Sequence, residues 1–256
     1  MAGSVAHHGT SADGESPRGG DSPDVSESGD FIPEQELNFN LSPVDASLIV
    51  RALSQPQAMA SPDGTRSPKK KRSSGLYIFL SAYKPGTSER ITIERTKRGG
   101  LQATYAPKRW MTDLTGDSTK QELRNPIQMD MQECQAFVLR QARPIVSVFI
   151  KDKLSISYPG FVKVRLDRMT PVSPADPKVV SEPFWDLEIE AQAPHLDLDR
   201  TLRNICAIHG LAPELRPSSA SKSDRARQFG AASPMSWARR LEEYATVALA
   251  LARPLT

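Results

Sequence analysis

The chain has 256 residues, of which 38% are hydrophobic and 25% charged, and its formal net charge is +3. This length allows one or two domains, and the composition is that of a chain with a buried core in part of its length. Two cysteines are too few for the disulfide framework of a small secreted protein. Cys134 and Cys206 are therefore interpreted as reduced core residues.

No segment is predicted to enter or cross a membrane. The first residues are polar, so no signal peptide is expected. The longest nearly apolar run, residues 245–252, is too short to span a bilayer. Any membrane contact is therefore expected to be peripheral.

The two ends of the chain differ in charge. Residues 1–66 carry three basic and ten acidic side chains, whereas residues 67–256 carry 30 basic and 20 acidic ones. Such asymmetry favours an anionic partner for the basic part, meaning nucleic acid, an anionic membrane surface or an acidic protein. The alternative is a charged surface with no partner.

Residues 1–74 are predicted to form a disordered acidic arm, because the first 30 residues have too few apolar side chains to form a core. A short helix is expected inside the arm, with Ser42 as its N-cap and Pro43 in its first turn. Five Ser-Pro pairs are candidates for phosphorylation by proline-directed kinases, which would make the arm more acidic. They are at Ser16, Ser22, Ser42, Ser61 and Ser67.

A basic hinge at 68–72 ends the arm. Lys69, Lys70, Lys71 and Arg72 follow a proline in a polar setting. Such a run is typical of a nuclear localisation signal that an import receptor binds. The same run is also suited to phosphates or to anionic lipid headgroups.

Residues 75–211 are predicted to form an α+β module with a mainly antiparallel sheet. Alternating apolar residues predict its strands, which are expected at 76–83, 90–95, 101–105, 145–150, 154–157, 161–166 and 185–190. Residues 112–126 and 170–183 are expected to be loops, and Lys151, Asp152 and Lys153 a turn. Helices are expected from Ile127 to Pro144 and around Leu198 to Cys206. The carboxylates of Asp186, Glu188 and Glu190 are expected to face solvent.

Basic residues of the module are predicted to bind a polyanion, and aromatic residues beside them suggest a stacking platform for single-stranded nucleic acid. The alternative is that these aromatic residues belong to the core. The basic candidates are Lys84, Arg95, Lys97, Arg98, Lys108, Arg109, Lys151, Lys153, Lys163 and Arg165. The aromatic ones are Tyr77, Phe79, Tyr83, Tyr105 and Trp110.

The C-terminal part is expected to contain a linker or mobile loop over residues 212–232 and an amphipathic helix over 233–256. Ser233 is suited to cap that helix and Trp237 begins its apolar stripe. Docking on the module and binding of a partner are both compatible with the stripe. Residues 173–199 are acidic, which suits head-to-tail self-association with a basic edge or simply a balanced surface.

The sequence contains no recognisable catalytic, metal-binding or cofactor-binding motif. Neither the four histidines nor the two cysteines have the spacing of metal ligands. No phosphate-binding glycine loop or nucleophile elbow is found. We therefore expect no cofactor and no enzymatic activity.

The acidic arm, the Lys-Arg cluster, the α+β module and the C-terminal helix together resemble the matrix proteins of plant rhabdoviruses, especially those that assemble in the nucleus. The resemblance is architectural, and the Pro-Pro-x-Tyr motif of many animal rhabdovirus matrix proteins is absent. It implies a viral structural protein that enters the host nucleus and the virion, binds the nucleocapsid and anionic membrane, and self-associates into a homo-oligomer. The alternative is a nuclear nucleic-acid-binding regulator, such as a silencing suppressor, a movement accessory or a chromatin factor.

Overall fold

The computed structural model describes residues 31–34, 36–54, 68–82, 87–112, 118–123, 125–158, 160–192, 196–208, 210–218 and 222–255. The strands in these ranges are β1 (Phe31–Glu34), β2 (Glu36–Leu41), β3 (Lys69–Leu80), β4 (Thr87–Arg95), β5 (Leu101–Tyr105), β6 (Lys108–Thr112), β7 (Ser118–Leu123), β8 (Ile127–Met129), β9 (Ile145–Tyr158), β10 (Val162–Pro171), β11 (Phe184–Ala191) and β12 (Arg216–Pro217). The helices are α1 (Pro43–Ser54), α2 (Met131–Gln141), α3 (Leu198–Ile208), α4 (Lys222–Arg225), α5 (Pro234–Ala238) and α6 (Leu241–Ala250).

All strand pairs in these ranges are antiparallel, and one continuous row of neighbours is β8-β5-β4-β3-β9-β10-β11-β2-β12. Strands β6, β7 and β1 branch from β4. One sheet with helices packed against it confirms the predicted α+β class. The segment of residues 1–30, expected to be disordered, lies outside the described residues.

One face of the sheet is apolar, and the long strand β9 carries two separate parts of its core. Ile145, Val148 and Ile150 belong to a first cluster that α2, α5 and α6 cover. Leu154 and Ile156 belong to a second cluster that α1 and α3 cover. The two clusters explain why the helices form two groups on the same face.

A polar seam separates the two clusters. Asp152 is buried on β9 between them, and it accepts a hydrogen bond of 2.6 Å from the Ser74 hydroxyl and one of 2.7 Å from Arg168. The second bond is also an ion pair, and Arg168 donates another hydrogen bond to the carbonyl of Arg253. These contacts satisfy a buried carboxylate and attach the C-terminal segment to the sheet.

The boundary of the folded part differs from the expected one at residue 75. Phe39 and Leu41 of β2 are buried in the second cluster, and so are Ala46, Ile49 and Leu53 of α1. Residues 36–54 therefore belong to the sheet and its helical layer, whereas the sequence predicted them to lie in the arm. The reason is that two short apolar patterns, each too weak to fold alone, gain burial against β11 and β10.

Two local predictions in the module are also corrected. Residues 151–153 are not a turn, because β9 continues through them while pairing with both β3 and β10. The expected loop at 112–126 contains β7, and the expected helix from Ile127 begins as β8 before α2. Asp130 caps α2 by accepting a hydrogen bond of 2.8 Å from the Glu133 amide, which fixes where the helix begins.

The C-terminal stripe lies in the first cluster as two helices rather than one. Trp237 on α5 and Tyr244 on α6 are buried, with ring centroids 5.0 Å apart, whereas Leu251 is exposed. The chain bends between them at Arg239 and Arg240. No helix in the described ranges is long and apolar enough to cross a membrane.

Candidate functional site

The face of the sheet opposite the two apolar clusters carries mostly polar side chains, and we call it the polar face. Residues directly opposite each other on antiparallel strands point to the same face, so the strand register places these side chains in rows. One row joins Lys69, Ser157, Lys163, Glu190 and Glu36; the next joins Lys71, Ser155, Arg165, Glu188 and Asn38; the third joins Ser73, Lys153, Asp167, Asp186, Asn40 and Arg216.

The centre of the polar face is a buried charge cluster. Its side chains are Lys151, Arg165, Asp167, Asp186 and Glu188 of the sheet and Lys222 and Arg225 of α4. Asp167 and Asp186 are 0% exposed and Lys151 only 6%. Four basic groups thus meet three acidic groups, and the side chains of Arg165, Lys222 and Arg225 are 19–20% exposed.

Ion pairs connect the cluster through α4. Lys222 Nζ lies 2.8 Å from Asp167 Oδ2 and 2.7 Å from Glu188 Oε2. Lys151 also pairs with Asp167, and Arg165 pairs with Glu188. Arg225 pairs with Asp186 and donates to Asn40. Helix α4 therefore covers this part of the polar face with two cations.

Burial and neighbouring charges shift the pKa values of the cluster in different directions. Burial opposes ionisation of Asp167 and Glu188, but the surrounding cations outweigh it and lower the pKa of both carboxyls. At Asp186 burial outweighs the neighbouring cations and raises the pKa of the carboxyl. At Lys151 burial outweighs the neighbouring carboxylates and lowers the pKa of the amine. Burial also opposes the charge of Lys222, yet the adjacent carboxylates raise its pKa. Lys222 therefore stays charged between Asp167 and Glu188.

Sequence reasoning missed this cluster. Asp186 and Glu188 alternate with apolar residues as solvent-facing side chains do, but both are buried. Residues 222–225, expected to lie in a linker or mobile loop, form the helix that buries them. No pattern within either strand marks this cluster, because the acidic residues of β11 meet the charged residues of β10 only through the strand register.

A lysine patch lies beside the cluster on β3 and β9. We use this name for Lys69, Lys71 and Lys153, which surround the hydroxyls of Ser73, Ser155 and Ser157. Lys69 and Lys71 are exposed, and Lys153 is half-buried. The neighbouring cations Lys163 and Arg165 pair with Glu190, at 2.8 and 3.1 Å. Among the residues that the structure describes, no carboxylate pairs with the lysines of the patch.

An aromatic strip continues from the patch along the same two strands. Its members are Tyr77, Phe79 and Phe149. The Tyr77 and Phe149 rings stack with centroids 5.5 Å apart and planes 6° apart, and Phe79 stacks on Phe149 at 5.6 Å. The cations of Arg90 and Lys151 lie 5.6 and 5.3 Å from the centre of the Tyr77 ring.

The strip brings together two aromatic residues of the predicted platform, Tyr77 and Phe79, and a third residue lies elsewhere. Tyr105 is buried in the first core cluster and its hydroxyl donates to Glu89 at 2.7 Å. Tyr83 and the side chain of Trp110 lie outside what the structure describes. Phe149, which the sequence did not single out, replaces them as a partner of Tyr77 and Phe79.

The remaining predicted polyanion-binding residues are not brought together. Arg95, Lys97 and Arg98 are exposed at the β4–β5 turn, and Lys108 and Arg109 lie on β6, where Arg109 donates to Gln121 at 2.9 Å. Lys84 lies outside the described residues. The strand register brings Lys151, Lys153, Lys163 and Arg165 of that set together, and it adds Lys69 and Lys71.

The predicted nuclear localisation signal is not a free hinge. Lys69, Lys70, Lys71 and Arg72 form the first residues of β3, and the register pairs them with residues 154–157 of β9. Lys69 and Lys71 thus lie in the lysine patch, whereas Lys70 and Arg72 point to the opposite face. A receptor that reads all four side chains of an extended segment requires release of this end of β3.

Of the candidate phosphorylation sites, the structure describes Ser42. It is exposed and caps α1, where its hydroxyl accepts a hydrogen bond of 3.0 Å from the Asp45 amide. Ser16, Ser22, Ser61 and Ser67 lie outside the described ranges.

Within the described part of the chain, no group of three or more His, Cys, Asp or Glu side chains is placed to hold a metal ion. Burial raises the pKa of Cys134 to about 12 and that of Cys206 to about 11, so both are protonated thiols at neutral pH. Their burial agrees with the prediction that they are reduced core residues.

The lowered pKa of Glu188 predicts sensitivity to acid. Its carboxylate stabilises the folded state above its ordinary pKa of 4.5, and this contribution is lost as the pH falls through the lower folded value. In the Glu188→Gln variant, the acid-side fall in unfolding free energy should be shallower by up to about 1.4 kcal/mol per pH unit. Urea unfolding between pH 2.5 and 6 measures this slope.

Glu243→Gln is the control for this experiment, because it removes an exposed carboxylate of α6. Its pH dependence should parallel that of the wild type. If the slope of Glu188→Gln also parallels the wild type, Glu188 does not ionise below its ordinary pKa in the folded protein.

No family model matches the chain, and no curated protein matches it. Among solved structures, it is similar to a chain of the Schizosaccharomyces pombe Mediator head module, with 11% identity, a TM-score of 0.48 and coverage of 72% of this chain and 98% of that one. The PH1819 protein from Pyrococcus horikoshii OT3 follows with 14% identity, a TM-score of 0.46 and coverage of 75% and 95%. The Mimivirus capping enzyme triphosphatase is 12% identical, with a TM-score of 0.41 and coverage of 70% and 89%. At these TM-scores the likenesses assign neither a function nor an absence of enzymatic activity.

Proposed function

We propose that this chain is a polyanion-binding protein that contacts phosphate groups through the lysine patch. The observation that carries the proposal is the position of Lys69, Lys71 and Lys153, which lack carboxylate partners in the described structure and surround serine hydroxyls. By contrast, Lys151 and Lys163 of the same face each pair with a carboxylate, Asp167 and Glu190 respectively.

The geometry of the patch suits a chain of phosphates. Residues two apart on a strand lie about 7 Å apart, and neighbouring strands lie about 4.8 Å apart. Lys69 and Lys71 are two residues apart on β3, and Lys153 lies on the next strand opposite Ser73. Three ammonium groups within this area attract several phosphates at once, and the nearby hydroxyls add hydrogen-bond donors.

The Lys69→Ala, Lys71→Ala, Lys153→Ala variant of the full chain tests the proposal. Its affinity for duplex DNA should fall about 10- to 100-fold at moderate salt, and the slope of log affinity against log salt should become shallower by about 2 to 3. A fluorescence anisotropy titration across a salt series measures both values.

The control variant is Lys178→Ala, Arg200→Ala, Arg239→Ala, which removes the same charge from exposed positions outside the polar face. An equal loss in both variants would show that net charge, not the patch, governs binding. Titrations with single-stranded RNA and with vesicles that contain anionic lipid distinguish the source of the phosphate.

The matrix-like role is a further part of this proposal. Pelleting with anionic vesicles together with concentration-dependent oligomers would support it. Binding to nucleic acid by a monomer would instead support the alternative, a nuclear nucleic-acid-binding regulator. Entry into the nucleus and the absence of enzymatic activity stay predictions. The nuclear localisation signal at 69–72 would be bound by its receptor only after this end of β3 separates from β9.

A further inference from the structure

The aromatic strip belongs to a small buried cluster that is separate from the two large ones. The two large apolar clusters lie on the other face of the sheet, whereas Tyr77 and Phe149 belong to a small cluster on the polar face. In the described part of the chain its other buried members are Met169 and Ala226, and the half-buried Phe79 and Phe184 pack against it. Two stacked rings beside cations and unpaired lysines form the combination with which proteins bind single-stranded nucleic acid.

The strip lies close enough to the lysine patch for one ligand to contact both. Tyr77 is six residues from Lys71 on β3, which corresponds to about 20 Å, and Phe149 is four residues from Lys153 on β9, or about 13 Å. The patch and the strip lie on the same two antiparallel strands, and their side chains are on the same face of the sheet. A flexible strand whose phosphates lie on the patch can therefore place bases at the strip.

In this structure a segment of the chain covers the strip. Ala226, which directly follows α4, is buried in the aromatic cluster, and Arg225 lies 4.0 Å from the centre of the Phe184 ring. Asp224, Arg227 and Gln228 of the same segment are exposed. We call residues 222–228 the covering segment. Its contacts with the rest of the protein include the cationic side chains of Lys222 and Arg225, the methyl group of Ala226 and a hydrogen bond that Gln228 accepts from the Ser181 hydroxyl.

We infer that the aromatic strip is a base-stacking site for single-stranded nucleic acid and that the covering segment competes with the bases for it. The inference rests on the proposed function, because it names the ligand of the same face and the way in which access is regulated. Displacement of Ala226 opens one side of the buried cluster of Tyr77 and Phe149, whose rings stack on each other. Lys222 and Arg225 hold the segment in place through the carboxylates of the buried charge cluster.

The direction of the effect separates this inference from simple electrostatics. The Lys222→Ala, Arg225→Ala variant loses two positive charges, so electrostatics alone predicts weaker binding to every polyanion. Release of the covering segment predicts tighter binding to single-stranded RNA, since stacking contributes for each base that reaches a ring. Inorganic polyphosphate has no bases and should gain nothing.

The experiment compares this variant of the full chain with Arg200→Ala, Arg203→Ala, which loses the same charge from exposed positions of α3. The probes are a single-stranded RNA and inorganic polyphosphate. We expect the first variant to bind the RNA about 10-fold more tightly than wild type, and the control to bind both probes equally well or more weakly. Weaker RNA binding by a folded Lys222→Ala, Arg225→Ala variant would overturn the inference.

A measurement on the wild type keeps the test valid if that variant does not fold. The Ala226 amide donates to the Lys222 carbonyl at 3.2 Å and the Arg227 amide to the Asp224 carbonyl at 3.1 Å. Saturating RNA should accelerate hydrogen exchange at these amides, and polyphosphate should not. Unchanged or slower exchange with bound RNA would overturn the inference and leave the proposed function intact. Failure to bind either probe would overturn both.

Discussion

Asp167→Ala should lower the free energy of unfolding by about 3–5 kcal/mol, because it removes one partner of a buried ion-pair network. The carboxylate is 0% exposed and pairs with Lys151 and Lys222. Without it, the buried Lys151 loses its carboxylate partner, whereas Lys222 keeps Glu188 at 2.7 Å and Asp186 at 3.9 Å. Chemical denaturation monitored by circular dichroism measures the loss.

Two further variants decide whether the cause is the uncompensated charge. Asp167→Leu combined with Lys151→Met replaces one buried pair with apolar side chains and should restore much of the stability. Glu214→Ala breaks an exposed ion pair with Arg216 and should leave the transition midpoint close to that of the wild type. Loss of less than about 1 kcal/mol in Asp167→Ala would show that water reaches the cluster.

Trp237→Ala should be similarly destabilising, by about 3–5 kcal/mol, because it opens a cavity in the first apolar cluster. The side chain is 1% exposed and packs on Tyr244 between α5 and α6. Its loss removes contacts that hold both C-terminal helices on the sheet. The midpoint of urea unfolding, with the slope checked for constancy, measures the effect.

Met235→Ala on the same helix is the matched control. Met235 is 57% exposed, so its truncation should change stability by no more than about 0.5 kcal/mol. Equal effects of the two substitutions would contradict the docking of α5 through Trp237.

Local patterns were sufficient where a segment's own side chains define its buried side. The strand at 101–105 is found with its predicted bounds, and the helices around Cys134 and Leu202 lie where their apolar stripes placed them. The break at Arg239 and Arg240 could not be read in this way, because the apolar stripe continues through it from Trp237 to Leu241.

The residues of the candidate site were harder to predict, since strand alternation does not tell a buried polar face from a solvent-exposed one. Lys153 and Lys163 were recognised as basic residues near one another in sequence. That Lys69 and Lys71 lie beside them follows from the pairing of β3 with β9, which joins residues more than 80 positions apart. Such a register is fixed by the burial of the opposite face rather than by the lysines themselves.

The sequence by itself determined the α+β class, most of the strands and helices and the basic character of the module, because these depend on periodicity and composition within short segments. Only the tertiary structure decided that β2 and α1 belong to the fold, that Asp186 and Glu188 are buried, and that the run at 69–72 is part of a strand. The physical reason is the same in each case. Burial of these residues depends on partners distant in the chain, and Lys222, which neutralises Asp167 and Glu188, is 55 and 34 residues away from them.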